Sequence, residues 1–126
     1  MNIPEDLRYS HEHEWVRVEG DTATVGITDY AQNELGDIVF VEFPDVGDDV
    51  ETGGPAGTIE AVKTVADLFA PVSGRIVAVN EDLADNPDRV NKDPYGEGWM
   101  IRISLSKPVE LEDLLNAEDY GKLLEE

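Results

Sequence analysis

Residues 57–74 read GTIEAVKTVADLFAPVSG, and this stretch decides the fold that the sequence predicts. Apolar and β-branched residues lead up to Lys63, and a second apolar run leads away from it and ends in Pro-Val-Ser-Gly. Two such runs with a short polar break between them are typical of a β-hairpin. The pattern therefore predicts a hairpin with Lys63 at its tip, where a modifying enzyme can reach the amine without unfolding the protein. Spacing alone favours an ordinary exposed lysine, because most lysines lie at the surface.

Outside this stretch, short apolar or alternating segments dominate the first hundred residues. They predict strands at residues 15–19, 22–27, 37–43, 56–62, 65–70, 75–79 and 99–105. Strands at this spacing favour a small sandwich or barrel. Trp15, Trp99 and Phe40 are expected to pack in its core or at its rim.

Helices are predicted to be few. Thr28 can cap a helix over residues 29–35, and Asn80 can cap a single turn before Pro87. Leucines at helical spacing predict a helical segment over residues 111–124. Gly121 is expected to kink or split this segment, because glycine is a poor helix former.

Composition limits the possible functions. A chain of 126 residues predicts one domain, residues 1–126, and the absence of cysteine excludes disulfides, thiolate metal sites and a cysteine nucleophile. Twenty-nine acidic residues against nine basic ones give a net charge of −20, which disfavours nucleic acids and anionic membranes as partners. The sequence has neither a signal-peptide pattern nor an apolar run of membrane-spanning length, so the cytoplasm is the expected location.

Five motifs in order along the chain resemble the glycine cleavage system H-protein family. The stretch around Lys63 is similar to the family's lipoyl-lysine site. The other four motifs are HEWV at 13–16, VGITDYAQ at 25–32, LGDIVFV at 35–41 and NKDPYGEGW at 91–99. The resemblance implies a mainly β, lipoyl/biotinyl-type fold. This is a flattened β-barrel, or barrel-sandwich hybrid, of two small antiparallel sheets with short helices, some of them C-terminal.

The resemblance also implies a function in glycine catabolism. Lys63 is expected to carry lipoate in an amide bond, attached by a lipoate-protein ligase or lipoyl transferase. The arm would take an aminomethyl group from the glycine decarboxylase (P protein) to the aminomethyltransferase (T protein). The dihydrolipoyl dehydrogenase (L protein) would then reoxidise it. The protein would be a carrier rather than an enzyme, and a monomer that visits its partners transiently.

Further site residues follow from the same resemblance. Glu60 matches the acidic residue that the lipoylating enzyme recognises, whereas Glu14 and Asp67 match residues that line a cleft for the loaded arm. Glu34 stands where some family members have histidine, and a carboxylate there can still pair with an amine. Ala61 replaces the usual serine, and loss of that hydroxyl is expected to weaken ligase recognition or the hydrogen bonding of the turn.

Other readings stay open at this point. His11 and His13 are too few to form a metal site, so no metal is expected, and both are predicted to be surface histidines. An H-like protein that relays lipoyl groups to other acceptors is the main alternative function. A biotin carrier is disfavoured, because Val62 and Thr64 replace the methionines that flank a biotinyl lysine. A non-carrier interaction module with an unmodified lysine is the remaining class.

Overall fold

A computed structural model describes residues 2–125 of the chain. Its strands are β1 (Arg8–Tyr9), β2 (Glu14–Glu19), β3 (Thr22–Ile27), β4 (Ile38–Glu42), β5 (Asp49–Val50), β6 (Pro55–Ala61), β7 (Val65–Phe69), β8 (Gly74–Val79) and β9 (Ile101–Leu105). The α-helices are α1 (Asp29–Leu35), α2 (Asp82–Asp85), α3 (Arg89–Lys92) and α4 (Ala117–Leu124), and a 3₁₀ helix covers Pro108–Asp113.

The strands form two antiparallel sheets that remain separate instead of closing into one hydrogen-bonded barrel. The larger sheet has the order β1-β2-β3-β9-β8-β5, and the smaller one has the order β4-β6-β7. The predicted mainly β, lipoyl-type fold with short helices is confirmed in this two-sheet form. The hairpin of β6 and β7 belongs to the smaller sheet, so the predicted lysine hairpin is present as well.

Apolar side chains from both sheets meet in a common core. From the larger sheet it includes Val25, Ile76, Ile101 and Ile103, and from the smaller sheet Val41, Ile59 and Leu68. Period-two alternation along β6 and β7 places these side chains inside and the intervening ones in solvent. The outer face of the smaller sheet is therefore free to meet other molecules.

A second, aromatic cluster fastens the C-terminal helix to the edge of the larger sheet. The rings of Tyr9 in β1 and Tyr120 in α4 stack with centroids 4.6 Å apart, and Leu115 forms an isolated bridge with Tyr9. Trp15 is fully buried in the same cluster, with its indole N–H donating to the Pro94 carbonyl at 2.9 Å. Trp99 is partly buried beside it, as predicted for a rim residue.

Two sequence-based expectations about local structure need correction. The C-terminal segment is interrupted at residues 114–116, where Leu115 pairs with Tyr9 and Asn116 caps α4, whereas Gly121 lies inside an uninterrupted helix. The predicted kink at Gly121 was therefore wrong. The short elements β1, β5 and α3 were not predicted, because two to four residues are too few to show a period.

Candidate functional site

Lys63 is the middle residue of the three-residue tip between β6 and β7 and is exposed. Two hydrogen bonds fasten this tip to its surroundings. The Ala61 N–H donates to the Thr64 carbonyl at 2.8 Å, and the Val62 N–H donates to the Asp37 carbonyl at 3.0 Å. The backbone under the lysine is thus tied both across the hairpin and to the connection that leads into β4.

The Lys63 side chain extends over Gly36, which follows α1. A β-carbon at Gly36 would lie 3.4 Å from Lys63 Cε and 3.8 Å from Nζ. Gly36 has φ +79°, a conformation that favours glycine, and its N–H donates to the Gln32 carbonyl to end the helix. Because Glu34 and Leu35 immediately precede Gly36, the lysine amine lies beside the end of α1.

A cleft of about 350 Å³ opens along α1 and the smaller sheet. Its apolar lining consists of Ile27, Ala31, Leu35, Ile59, Ala66 and Phe69. Its polar lining consists of Glu12, His13, Glu14, Tyr30, Glu34 and Asp67. The structure thus brings together Glu14, Glu34 and Asp67, the three carboxylates predicted to line an arm-docking cleft, although they come from β2, α1 and β7. Such a cavity can accept an apolar chain that ends in a cation.

Glu14 is the most deeply placed of these carboxylates and is only 2 % exposed. Its Oε1 accepts from the Ser10 hydroxyl at 2.5 Å, and its Oε2 accepts from the Phe69 N–H at 3.3 Å. Burial raises the pKa of Glu14 to about 7, against the lowering effect of these two hydrogen bonds. The group can therefore change its charge near neutral pH, and a bound cation would favour the ionised form.

His13 also lines the cleft, which sequence reasoning did not anticipate. Its Nδ1 lies 2.9 Å from the Tyr120 hydroxyl, and that hydroxyl lies 2.7 Å from Thr28 Oγ1. The His13 ring packs against Tyr30 with centroids 4.8 Å apart, and burial lowers its pKa. His13 directly precedes β2, as predicted, but it is only partly exposed. The signals visible in the sequence were its place next to Glu14 and its position in the HEWV motif at 13–16.

The remaining predicted residues lie outside the cleft. Glu60 is exposed on the outer face of the smaller sheet, three residues before Lys63. Ala61 is only 5 % exposed and packs in the main core, opposite Ile38. The Ala61 side chain is therefore part of the core and not of the exposed surface of the tip.

Within residues 2–125, no group of three or more His, Cys, Asp or Glu side chains is arranged to hold a metal ion. No helix of that same range is long and apolar enough to cross a membrane.

A hairpin-tip lysine on two small antiparallel sheets, beside a short helix, defines a lipoyl-type carrier domain. A solved H protein from Mycobacterium marinum superimposes with a TM-score of 0.90 and is 40% identical, covering 98% of this chain and all of the other. A family model described as "Glycine cleavage H-protein" matches residues 7–126.

The sequences of curated relatives align with almost the whole chain. The glycine cleavage system H protein of Rubrobacter xylanophilus is 59% identical, with 98% of this chain and 96% of the relative aligned. The corresponding protein of Carboxydothermus hydrogenoformans is 55% identical, with 98% and 95% aligned. The chain therefore belongs to the glycine cleavage H-protein family, the lipoyl carriers of the glycine cleavage system.

Proposed function

We propose that the chain carries its lipoyl group on Lys63 and conveys an aminomethyl group during glycine decarboxylation. The observation that carries this proposal is the position of Lys63. Its amine is exposed at a firmly held hairpin tip and lies beside a cleft that is lined by both apolar side chains and carboxylates. A covalently held dithiolane would supply the redox and acceptor chemistry that a chain without cysteine lacks.

Attachment is an acyl transfer to the lysine nitrogen. A ligase joins the lipoate carboxyl group to AMP and releases pyrophosphate from ATP. The neutral Lys63 Nζ then attacks the acyl carbon, an amide bond forms, AMP leaves and the proton of the amine passes to solvent. The hairpin contributes access and a fixed position, and the enzyme contributes activation.

The cleft residues would hold the loaded arm between enzymes. Ile59 and Leu35 offer apolar contacts for the chain of the arm, and Glu14, Glu34 and Asp67 offer oxygens to a protonated amine. A charge-assisted hydrogen bond in a place shielded from water would slow the loss of the amine by hydrolysis. Glu34 can serve in this way although other family members have histidine there.

The partners would be the P, T and L proteins of the glycine cleavage system and a lipoyl-attaching enzyme. Residues 1–126 would act as one monomeric carrier domain that visits each partner and does not turn over by itself. No observation in residues 2–125 favours the alternative of a lipoyl-relay protein over the role in glycine cleavage, after which the curated relatives are named.

Substitution of the lysine tests the proposal. We expect Lys63→Arg to keep the fold, to gain no lipoyl mass after incubation with ligase, lipoate and ATP, and to abolish glycine decarboxylation with the P, T and L proteins. Arginine keeps the positive charge but cannot form the amide. Lys107→Arg, another exposed position, is the matched control and should behave as the unmodified sequence does. A Lys63→Arg protein that still supports decarboxylation would contradict the proposal.

A further inference from the structure

The motif at residues 91–99 lines neither the cleft nor the lysine tip, yet it contacts both ends of α1. At the C-terminal end of the helix, the Asn91 side-chain amide donates to Gln32 Oε1 at 3.0 Å and to the Gly36 carbonyl at 2.8 Å. At the N-terminal end, the Tyr95 hydroxyl accepts from the first N–H of α1 at 2.9 Å. The motif therefore fixes the helix that forms one wall of the cleft.

Asn91 also holds the segment that supports the lysine tip. Its Oδ1 accepts from the Ile38 N–H at 2.9 Å, so the same side chain binds the residue before Asp37 and the residue after it. The Asp37 carbonyl in turn accepts from the Val62 N–H in the tip at 3.0 Å. The side chain of the tip lysine extends over Gly36. One amide group thus holds the segment on which both the backbone and the side chain of the tip lie.

Strand pairing gives this segment little support of its own. Ile38 pairs with Ala61 and Phe40 pairs with Glu60, so Val39 is a β-bulge in β4. A bulge leaves one residue unpaired and interrupts the ladder of hydrogen bonds. In the part of the chain that the structure describes, a single β4 pair therefore lies between the bulge and the tip. The side-chain amide from α3 adds hydrogen bonds where the ladder is interrupted.

The loop that follows Asn91 is fastened to the larger sheet. The Pro94 carbonyl accepts from the indole N–H of Trp15 at 2.9 Å. The Tyr95 carbonyl accepts from the guanidinium group of Arg17 at 2.8 Å, and both donors lie in β2. Asn91 therefore connects α1 and the lysine tip to a fixed part of the larger sheet.

We propose that Asn91 is a positioning residue for the loaded arm, an inference that rests on the proposed function. By holding residues 36–38, it keeps the attachment point of the arm at the mouth of the cleft. An arm whose base moves spends more time in water, where the aminomethyl group is lost. In that reaction water adds its oxygen to the methylene carbon and the C–S and C–N bonds break. The products are the thiol, formaldehyde and an ammonium ion, with no change in oxidation state.

The experiment measures this hydrolysis without any partner enzyme. Lipoylated protein is reduced with a phosphine and loaded with formaldehyde and ammonium, which is the reverse of the hydrolysis. After removal of the reagents, intact mass spectrometry follows the loss of the aminomethyl mass. We expect Asn91→Ala to lose the group about tenfold faster than the unmodified sequence, because small displacements of a positioned group have large effects on rate.

Asn80→Ala is the matched control. The Asn80 amide also donates two hydrogen bonds, to the carbonyls of Glu97 and Trp99 at 2.8 Å each, and its Oδ1 accepts from the Asp82 N–H at 3.3 Å. The two variants therefore lose the same number of hydrogen bonds, but Asn80 contacts neither α1 nor residues 36–38. The loaded arm of Asn80→Ala should be hydrolysed at the rate of the unmodified sequence.

Amide hydrogen exchange measured by NMR tests the positioning on the unlipoylated protein. The Val62 N–H is bonded to the segment that Asn91 holds, whereas the Ala61 N–H is bonded across the hairpin. We expect Asn91→Ala to speed exchange at Val62 about tenfold and to leave exchange at Ala61 unchanged, because only a local opening is made easier. If Asn91→Ala does not fold, Asn91→Asp replaces it, since aspartate keeps the acceptor and loses only the two donated hydrogen bonds.

The outcomes separate this inference from the proposed function. Unchanged hydrolysis, or unchanged exchange at Val62, in the folded variant would overturn the positioning role and leave Lys63 as the carrier residue. Faster exchange at both Val62 and Ala61 would assign the effect to general stability and also overturn that role. Absence of ligase-catalysed acylation of Lys63 in the unmodified sequence would overturn the proposed function and the inference together.

Discussion

At the scale of single residues, Glu14 combines a buried position with an ionisable group. Its two oxygens accept from Ser10 and from the Phe69 N–H, the latter on the edge strand of the smaller sheet. Burial nevertheless raises its pKa from 4.5 to about 7, so the neutral form is favoured in the folded protein over a range in which the unfolded chain is ionised. The carboxyl group therefore links the folding equilibrium to pH.

The sign of this link can be predicted. Between pH 4.5 and about 7 the folded state binds more protons at Glu14 than the unfolded state does, so this group's contribution is complete below pH 4.5 and is lost as pH rises through 7. The loss is of order 3 kcal/mol, since one pKa unit corresponds to about 1.4 kcal/mol. Glu14→Gln removes this loss. Urea unfolding from pH 4.5 to 8 should show a free-energy difference between the two proteins that changes by this amount.

Exposed Glu19→Gln is the control for that measurement, because it removes one carboxylate that is not buried and that is not among the charges acting on Glu14 or His13. His13, whose pKa burial lowers, is present in all three proteins and cancels in the differences. Parallel stability curves for Glu14→Gln and the unmodified sequence would show that Glu14 does not have a raised pKa.

Tyr120 connects a distant part of the chain to the cleft. Its hydroxyl contacts both His13 Nδ1 and Thr28 Oγ1, and Thr28 in turn accepts from the Ala31 N–H as the cap of α1. His13 has φ +67°, which is unusual for a residue with a side chain. The contact with the Tyr120 hydroxyl holds the imidazole ring of His13, whose backbone has this positive φ.

At the scale of elements, α4 contains a glycine that lowers the stability of a regular helix. Gly121 lies in the interior of α4, and a β-carbon there would lie 3.8 Å from Ile3 Cδ1, an ordinary contact distance. We expect Gly121→Ala to raise the free energy of unfolding by about 1 kcal/mol, because alanine loses less backbone entropy on helix formation. Urea denaturation measures the change.

Gly57→Ala in β6 is the opposite case and serves as the comparison. Gly57 has φ +145°, and a β-carbon would lie 2.7 Å from the Glu42 carbonyl oxygen, so we expect destabilisation by at least about 1 kcal/mol. Equal effects of the two alanine substitutions would contradict the assignment of Gly121 to a regular helix.

The hairpin of β6 and β7 performs two tasks because its faces differ. Its inner face contributes Ile59 and Leu68 to the core, and its outer face presents Glu60 and Val65 beside the lysine. Anchoring of the inner face keeps the tip in one position. Substitutions on the outer face therefore leave the core contacts of the hairpin in place.

At the scale of the whole molecule, the net charge of −20 affects the stability of the fold and the approach of charged partners. The described ion pairs are few and mostly exposed, for example Arg75 with Asp49 and Lys92 with Asp88, and exposed pairs contribute little. Repulsion among the remaining carboxylates opposes compaction at low salt.

We therefore expect added salt to stabilise the protein. Raising NaCl from about 0.05 to 1 M shortens the Debye length from more than 10 Å to about 3 Å and screens the repulsion. Tm should rise by about 5 °C, which corresponds to roughly 1 kcal/mol for a chain of this size. KCl at the same ionic strength is the control and should act equally. A Tm that stays constant or falls would show that the carboxylates do not repel strongly in the folded state.

Local signals in the sequence were sufficient for most of the elements. Thr28 caps α1 as predicted, with its hydroxyl oxygen accepting from the Ala31 N–H at 3.2 Å, and Lys63 lies at a hairpin tip. Caps and alternation involve neighbours only a few residues apart, so they can be read without knowledge of the packing. The bulge at Val39 could not be read in this way, because it depends on how β4 pairs with β6.

The sequence by itself determined the strands with one apolar and one polar face, the exposed lysine and the negative charge. Only the tertiary structure decided that Glu14 is buried in the cleft, that His13 lines the same cleft, and that Tyr120 contacts His13 across 107 positions of the chain. The physical reason is that periodicity and capping act between neighbouring residues, whereas burial, pKa and cleft shape depend on which distant segments pack together.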